Sequence, residues 1–150
     1  MAELSNQDPF YLQRFLEAQE GIYHAVLREL RSGQKRTHWM WFIFPQVDGL
    51  GMSETSRYYA IKSLAEAQAY LSHPILGVRL RECASILLTL EGRTAHAIFG
   101  SPDDRKLQSC MTLFLSTSGE SELFGSVLEK YYNGNKDSRT LEILEAWKND

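Results

Sequence analysis

The sequence predicts an all-α fold, a single compact domain of about seven or eight short helices. Three observations carry this. Leu12, Phe15, Leu16, Ile22, Tyr23, Val26, Leu27 and Leu30 recur with the 3.6-residue period of an amphipathic helix. Helix-start chemistry recurs along the chain, in Asp8-Pro9, Ser63 with Glu66, Ser101-Pro102-Asp103-Asp104 and Asp137. The one run with strand-like composition, Thr37 to Pro45, has no second run of comparable quality to pair with. A chain of 150 residues suits one domain around one core.

The first helix is expected over Pro9–Arg31, with Asp8 as its cap, Pro9 at the first helical position and Gly33 as its end. Arg28, Arg31, Lys35 and Arg36 cluster at that end, where cations complement the helix dipole or bind phosphate. Thr37–Pro45 reads as a short helix capped by Thr37, followed by a glycine-rich turn. A helix is then expected around Arg57–Lys62, and another opens at Ser63 and runs through Leu71. His73-Pro74 breaks it and starts the next, whose face is Leu76, Leu80, Cys83, Ala84, Leu87 and Leu90, ending near Gly92. Thr94–Phe99 makes one or two turns before Gly100. The helix started by Ser101-Pro102 buries Leu107, Cys110, Met111, Phe114 and Leu115 and is closed by Gly119. Ser121–Tyr132 and a helix capped by Asp137 complete the chain.

Composition narrows the function. Hydrophobic and charged fractions of 43% and 23% are those of a globular protein. A net charge of −3 and a pI near 5.8 argue against nucleic-acid binding held by charge. Cys83 and Cys110 show no metal spacing and read as core residues, which with no recognisable signal peptide points to the cytoplasm. No stretch has the roughly 20 apolar residues a bilayer span needs, so no membrane association is expected. No metal motif, P-loop or nucleophile elbow is present, and no cofactor is expected.

The most informative stretch is Thr37 to Ser56. His38, Trp39, Trp41, two phenylalanines and Ile43 fall within seven residues, and Pro45 stops the run. So dense an apolar run must be largely buried. The turn behind it, with Gln46, Gly49, Gly51, Ser53 and Ser56, places polar groups and free backbone beside an aromatic wall, the makings of a small-molecule pocket. The plainer reading is a core segment followed by an ordinary loop.

The His38-Trp39-Met40-Trp41-Phe42-Ile43-Phe44-Pro45-Gln46 motif closely resembles domain-of-unknown-function family 1810. The likeness continues through Gly49-Leu50-Gly51, Tyr58-Tyr59-Ala60-Ile61, His73-Pro74-Ile75-Leu76-Gly77, Pro102-Asp103-Asp104 and Lys106–Phe114, nearly the whole chain. Some members carry a calpastatin label, which does not suit a composition that demands a core. A weaker resemblance, at Ser56–Lys62 and His73–Arg79, is to the NADAR (YbiA-like) family. That resemblance implies N-glycosidic cleavage of nucleotide or ADP-ribose-type compounds. Where that family has a Ser-Glu-His-Tyr-Tyr-like sequence, this chain has Ser-Arg-Tyr-Tyr, and its nearest acid is Glu54.

Such chemistry asks for a carboxylate beside a ribosyl oxocarbenium-like transition state, and Glu54, Asp103 and Asp104 are the candidate catalytic residues. It asks for an aromatic platform, from Trp39, Trp41, Tyr58 or Tyr59, and for cations, from Arg57, Lys62, Arg79 or Lys106. The candidate ligand-binding set is His38, Trp39, Trp41, Gln46, Ser53, Tyr58, Arg79 and Lys106, with most of it expected to converge on one concave surface. Each has a plainer role as well: Asp103 and Asp104 also favour a helix N-terminus, and Arg79 can sit on a solvated face. The alternative function is a non-catalytic protein-interaction module that uses the aromatic segment or the basic cluster.

Overall fold

In the computed structural model, which describes residues 7–118 and 121–149, ten helices and no strand are present among the described residues. They are α1 (Gln13–Gln19), α2 (Tyr23–Ser32), α3 (Met40–Ile43), α4 (Glu54–Tyr59), α5 (Leu64–Ser72), α6 (Leu76–Thr89), α7 (Ala95–Phe99), α8 (Asp103–Ser118), α9 (Ser121–Tyr132) and α10 (Ser138–Lys148). The all-α reading holds, with two or three more helices than expected. The central element is α8, which packs against α5, α7, α9 and α10, while α6 packs against α2, α5 and α9. Around α8 the core gathers Leu107, Cys110, Met111 and Phe114 with Tyr70, Leu80, Leu87 and Phe124. None of the described helices is long and apolar enough to cross a membrane.

The extra helices arise where local geometry overrides the periodicity. The expected Pro9–Arg31 helix is two helices, because Glu20 leaves the helical region and Gly21 takes a φ of +78°. The apolar face survives the break, so the spacing reads through it. Nor does α1 begin at Pro9. Residues 8–11 form a turn, and the Asp8 carboxylate accepts hydrogen bonds from the Leu12 and Gln13 amides at 2.7 and 3.0 Å. Asp8 therefore caps four residues later than expected. Gly33 ends α2 with a φ of +76°.

The aromatic run does contain a helix, α3, but Thr37 does not cap it. The Thr37 hydroxyl donates to Glu29 Oε2 at 2.7 Å instead, and Trp39 stands at the cap position without a side-chain bond to the helix's own amides. The helix expected over Arg57–Lys62 lies earlier, over Glu54–Tyr59, because the Ser53 hydroxyl accepts from the Ser56 amide. Ile61 is drawn off into an isolated parallel bridge with Val47. Its amide donates to Gln46 O and its carbonyl accepts from Asp48 N, each at 2.8 Å.

Three of the remaining starts carry the expected cap, whereas α8 begins at Asp103, so that Pro102 precedes the helix instead of opening it. Ser63 accepts from Glu66 N, Thr94 from Ala97 N and Asp137 from Thr140 N, all at 3.0 Å. The Glu66 carboxylate does not close a capping box on Ser63. It accepts from Lys62 N at 2.9 Å and pairs with Arg14 at 2.6 Å. The expected stop of α8 at Gly119 lies outside the described residues.

Candidate functional site

The aromatic motif is organised by two carboxylates, neither of them within it. Glu29, on α2, accepts four hydrogen bonds: from Arg36 N (2.6 Å), Thr37 N (3.0 Å), Thr37 Oγ1 (2.7 Å) and Trp39 Nε1 (2.9 Å). Partial burial pushes its pKa up, but the four donors outweigh that and hold it at about 2. Glu29 thus gives the Trp39 N–H its partner and fixes the chain's path into α3.

The second carboxylate is Asp103, at the start of α8. One oxygen lies 3.0 Å from Lys35 Nζ and the other 3.5 Å from Lys106 Nζ. Each ammonium also stands over an indole, Lys35 over Trp39 and Lys106 over Trp41, both 5.2 Å from the ring centroid. The result is a lysine–aspartate–lysine bridge between two tryptophans. The two rings differ in burial. Trp39 is 2% exposed and packs against Phe44 and Phe99, whereas Trp41 is half-buried. Trp41 lines a small cleft with Gln46, Gly51, Ser56 and Tyr59, whose free volume is about 10 Å³, room for a single water.

Of the residues singled out from the sequence, Trp39, Trp41, Asp103 and Lys106 come together, and Gln46 joins them through the cleft. The others belong to separate networks. Tyr58 is half-exposed, its ring 4.8 Å from that of Tyr59, and its carbonyl accepts from Arg14 Nε. Arg79 donates to Gln19 Oε1 at 3.0 Å and stacks on Tyr23 at 4.6 Å. Ser53 and Glu54 start α4 on the exposed surface, and His38 is exposed. Asp104 turns away from Asp103 to His96, with Oδ2 to Nδ1 at 3.4 Å.

Lys35 and Glu29 are the residues of this centre that sequence reading passed over. Lys35 counted as one of four cations at a helix end, yet its side chain is 7% exposed and faces Asp103. Nothing in its spacing distinguishes it from Arg31 or Arg36. A larger groove, about 950 Å³, lies elsewhere, between residues 7–13 and Leu16, Ala69 and His73. It shares none of its lining with the tryptophan centre. His73 contributes there as a cap: its Nδ1 accepts from the Ile75 and Leu76 amides at 3.1 and 3.2 Å.

Fold and site together define a helical domain built around a charge-bridged pair of tryptophans. The chain belongs to the family described as "Protein of unknown function (DUF1810)", which matches residues 9–144. It is similar to the conserved hypothetical protein Rv1873 from Mycobacterium tuberculosis. That crystal structure is 51% identical in sequence, covers 92% of this chain and 99% of its own, and superposes with a TM-score of 0.91. No curated protein matches the chain. The resemblance to the NADAR family gains no support from these comparisons.

Proposed function

We propose that this protein binds a small anionic compound carrying a flat ring, of the nucleotide or ADP-ribose class, at the edge formed by Trp41 and Lys106. The observation that carries the reading is the Lys106 ammonium held 5.2 Å above the Trp41 ring, within 3.5 Å of Asp103. An indole face offers stacking, and the adjoining ammonium offers a phosphate partner. The cleft beside Trp41 is closed down to about 10 Å³. The ligand therefore enters by displacing the Gly49–Met52 turn, whose Met52 is 77% exposed.

Binding is the function proposed; hydrolysis of an N-glycosidic bond is its finer form. Asp103 is the candidate carboxylate paired with the lysines that stand over the indole rings, and both its oxygens are engaged by them. A ligand phosphate that draws Lys106 away frees one of those oxygens to face a ribosyl cation. Glu54 and Asp104 keep their candidate roles only if the starts of α4 and α8 close over the same ligand.

The test is thermal unfolding with AMP, ADP-ribose and NAD, read beside chromatography for released base or nicotinamide. A ligand at 100 times its Kd stabilises by about 2.7 kcal/mol. For a chain of this size that raises Tm by about 5–10 °C. Lys106→Ala should abolish the shift, and Trp41→Phe should weaken it. No shift with any of the three compounds, or an undiminished shift in Lys106→Ala, refutes the site. A shift without released base leaves binding and removes catalysis.

A further inference from the structure

A second surface carries chemistry that the tryptophan centre does not use. Arg28 and Arg31 stand three residues apart on α2, so they share its outer face. Arg36 follows just past the Gly33 turn. Arg93, from the α6–α7 connection, lies across the same turn, with its Nε 3.2 Å from where a Cβ on Gly33 would be. All four arginines are exposed. None of their guanidinium groups forms an ion pair or hydrogen bond with a described residue.

The neighbouring acids do little to offset them. Glu29 is half-buried and spends its acceptors on Arg36 N, Thr37 and Trp39. Glu91 lies exposed two residues before Arg93 and is not within ion-pair distance of it. Lys35, the one lysine of the sequence cluster, has left the surface for Asp103. What remains outside is a cluster of arginines alone, on a chain whose net charge is −3.

We propose that Arg28, Arg31, Arg36 and Arg93 form a docking surface for an acidic segment of a partner protein, a short run of aspartate and glutamate. Guanidinium forks match carboxylates in pairs, which ammonium groups do not. Nucleic acid fits less well. The aromatic rings nearest this end are turned inward, so no stacking platform accompanies the cations. The chain's net negative charge also opposes a long polyanion.

The experiment is fluorescence anisotropy with a fluorescein-labelled ten-residue Asp/Glu peptide, titrated with the full chain at 50 and 200 mM salt. A single-stranded oligonucleotide and phosphatidylserine vesicles serve as competing probes. Wild type is expected to bind the peptide saturably and more weakly at the higher salt. Arg28→Glu/Arg31→Glu is expected to weaken binding at least tenfold, and Arg93→Glu alone at least threefold. A variant with all four arginines replaced by lysine separates fork recognition from bare charge and should lose at least threefold. The four side chains are exposed, so helical circular dichroism should be unchanged in every variant. Absence of peptide binding, indifference to the charge reversals, full retention in the lysine variant, or tighter binding of oligonucleotide or vesicles would each overturn the proposal.

Discussion

Arg14 offers the most demanding test of how this fold is held. Its side chain is 5% exposed and uses every donor it has. Nε donates to Tyr58 O (2.7 Å), Nη1 to Phe10 O (2.8 Å) and Tyr11 O (2.9 Å), and Nη2 to Ala60 O (3.1 Å) and Glu66 Oε2 (2.6 Å). One guanidinium thus ties the N-terminal turn, the end of α4 and the first turn of α5 together. Replacing it with methionine keeps much of the stem's packing but strands the buried Glu66 carboxylate, which alone costs about 3–5 kcal/mol. The Phe10 and Tyr11 carbonyls can turn to water, and the Ala60 carbonyl keeps its 3.3 Å bond from Lys62 Nζ, so its weakened satisfaction adds only about 1 kcal/mol. These losses share one side chain and do not simply add. A total near 5 kcal/mol is expected for Arg14→Met, against a whole-domain stability of about 5–15 kcal/mol. Because that variant is expected to be barely folded, Arg14→Met/Glu66→Met is the necessary companion. Removing both charges should recover about 2 kcal/mol or more relative to the sum of the single losses. Urea denaturation followed by tryptophan fluorescence measures all of these. A loss below about 1 kcal/mol for Arg14→Met, or strict additivity in the double variant, would refute the argument that a desolvated pair holds this junction.

Three further outcomes follow from the geometry. Gly77→Ala should destabilise by about 3 kcal/mol or more, because the added Cβ would sit 2.1 Å from the Leu71 carbonyl oxygen, a backbone atom with no rotamer to escape into; equilibrium unfolding checks it, and a neutral result means α5 and α6 separate more easily than their packing implies. Trp39→Ala should cost about 3–5 kcal/mol and Trp41→Ala clearly less, since Trp39 is enclosed and Trp41 half-exposed; equal losses in chemical denaturation would contradict that difference. His73 should make stability pH-dependent. Burial lowers its folded-state pKa and nearby Asp8 opposes this more weakly, while its Nδ1 must stay unprotonated to accept from Ile75 and Leu76. Its stabilisation is therefore present above the unfolded value near 6.5 and is lost as pH falls below it. Unfolding at pH 7.5 and 5 should show a larger drop for wild type than for His73→Asn, whose side-chain oxygen can cap without titrating.

Much of the fold was legible because helix starts are local. Ser63, Thr94 and Asp137 each need only the amide three residues ahead, and each cap is in place. Two of the misplaced boundaries share one cause, a distant partner that outbids the local pattern. Thr37 gives its hydroxyl to Glu29, eight residues back, and so cannot cap α3. Ile61 is taken from α4 by its bridge to Val47. The break at Gly21 was hidden for the opposite reason: both helices keep the same apolar stripe, so periodicity alone reports one helix where there are two.

The tryptophan centre shows why a site is harder to read than a fold. The motif from His38 to Gln46 marks where aromatic mass accumulates, and Asp103 with Lys106 follows from a helix-face argument within a single turn. What joins them is Lys35, and its role depends on α7 and α8 folding back against the end of α2. The Lys35 amide donates to Ile98 O at 2.7 Å, which turns the side chain toward Asp103 rather than toward solvent. That one backbone bond divides the basic cluster in two. Lys35 goes inward, where it bridges Trp39 to Asp103, and the arginine side chains stay outside with no ion-pair partner among the described residues. Tryptophan centre and arginine surface are therefore consequences of the same local turn, and Lys35→Ala should loosen the former while leaving the latter intact.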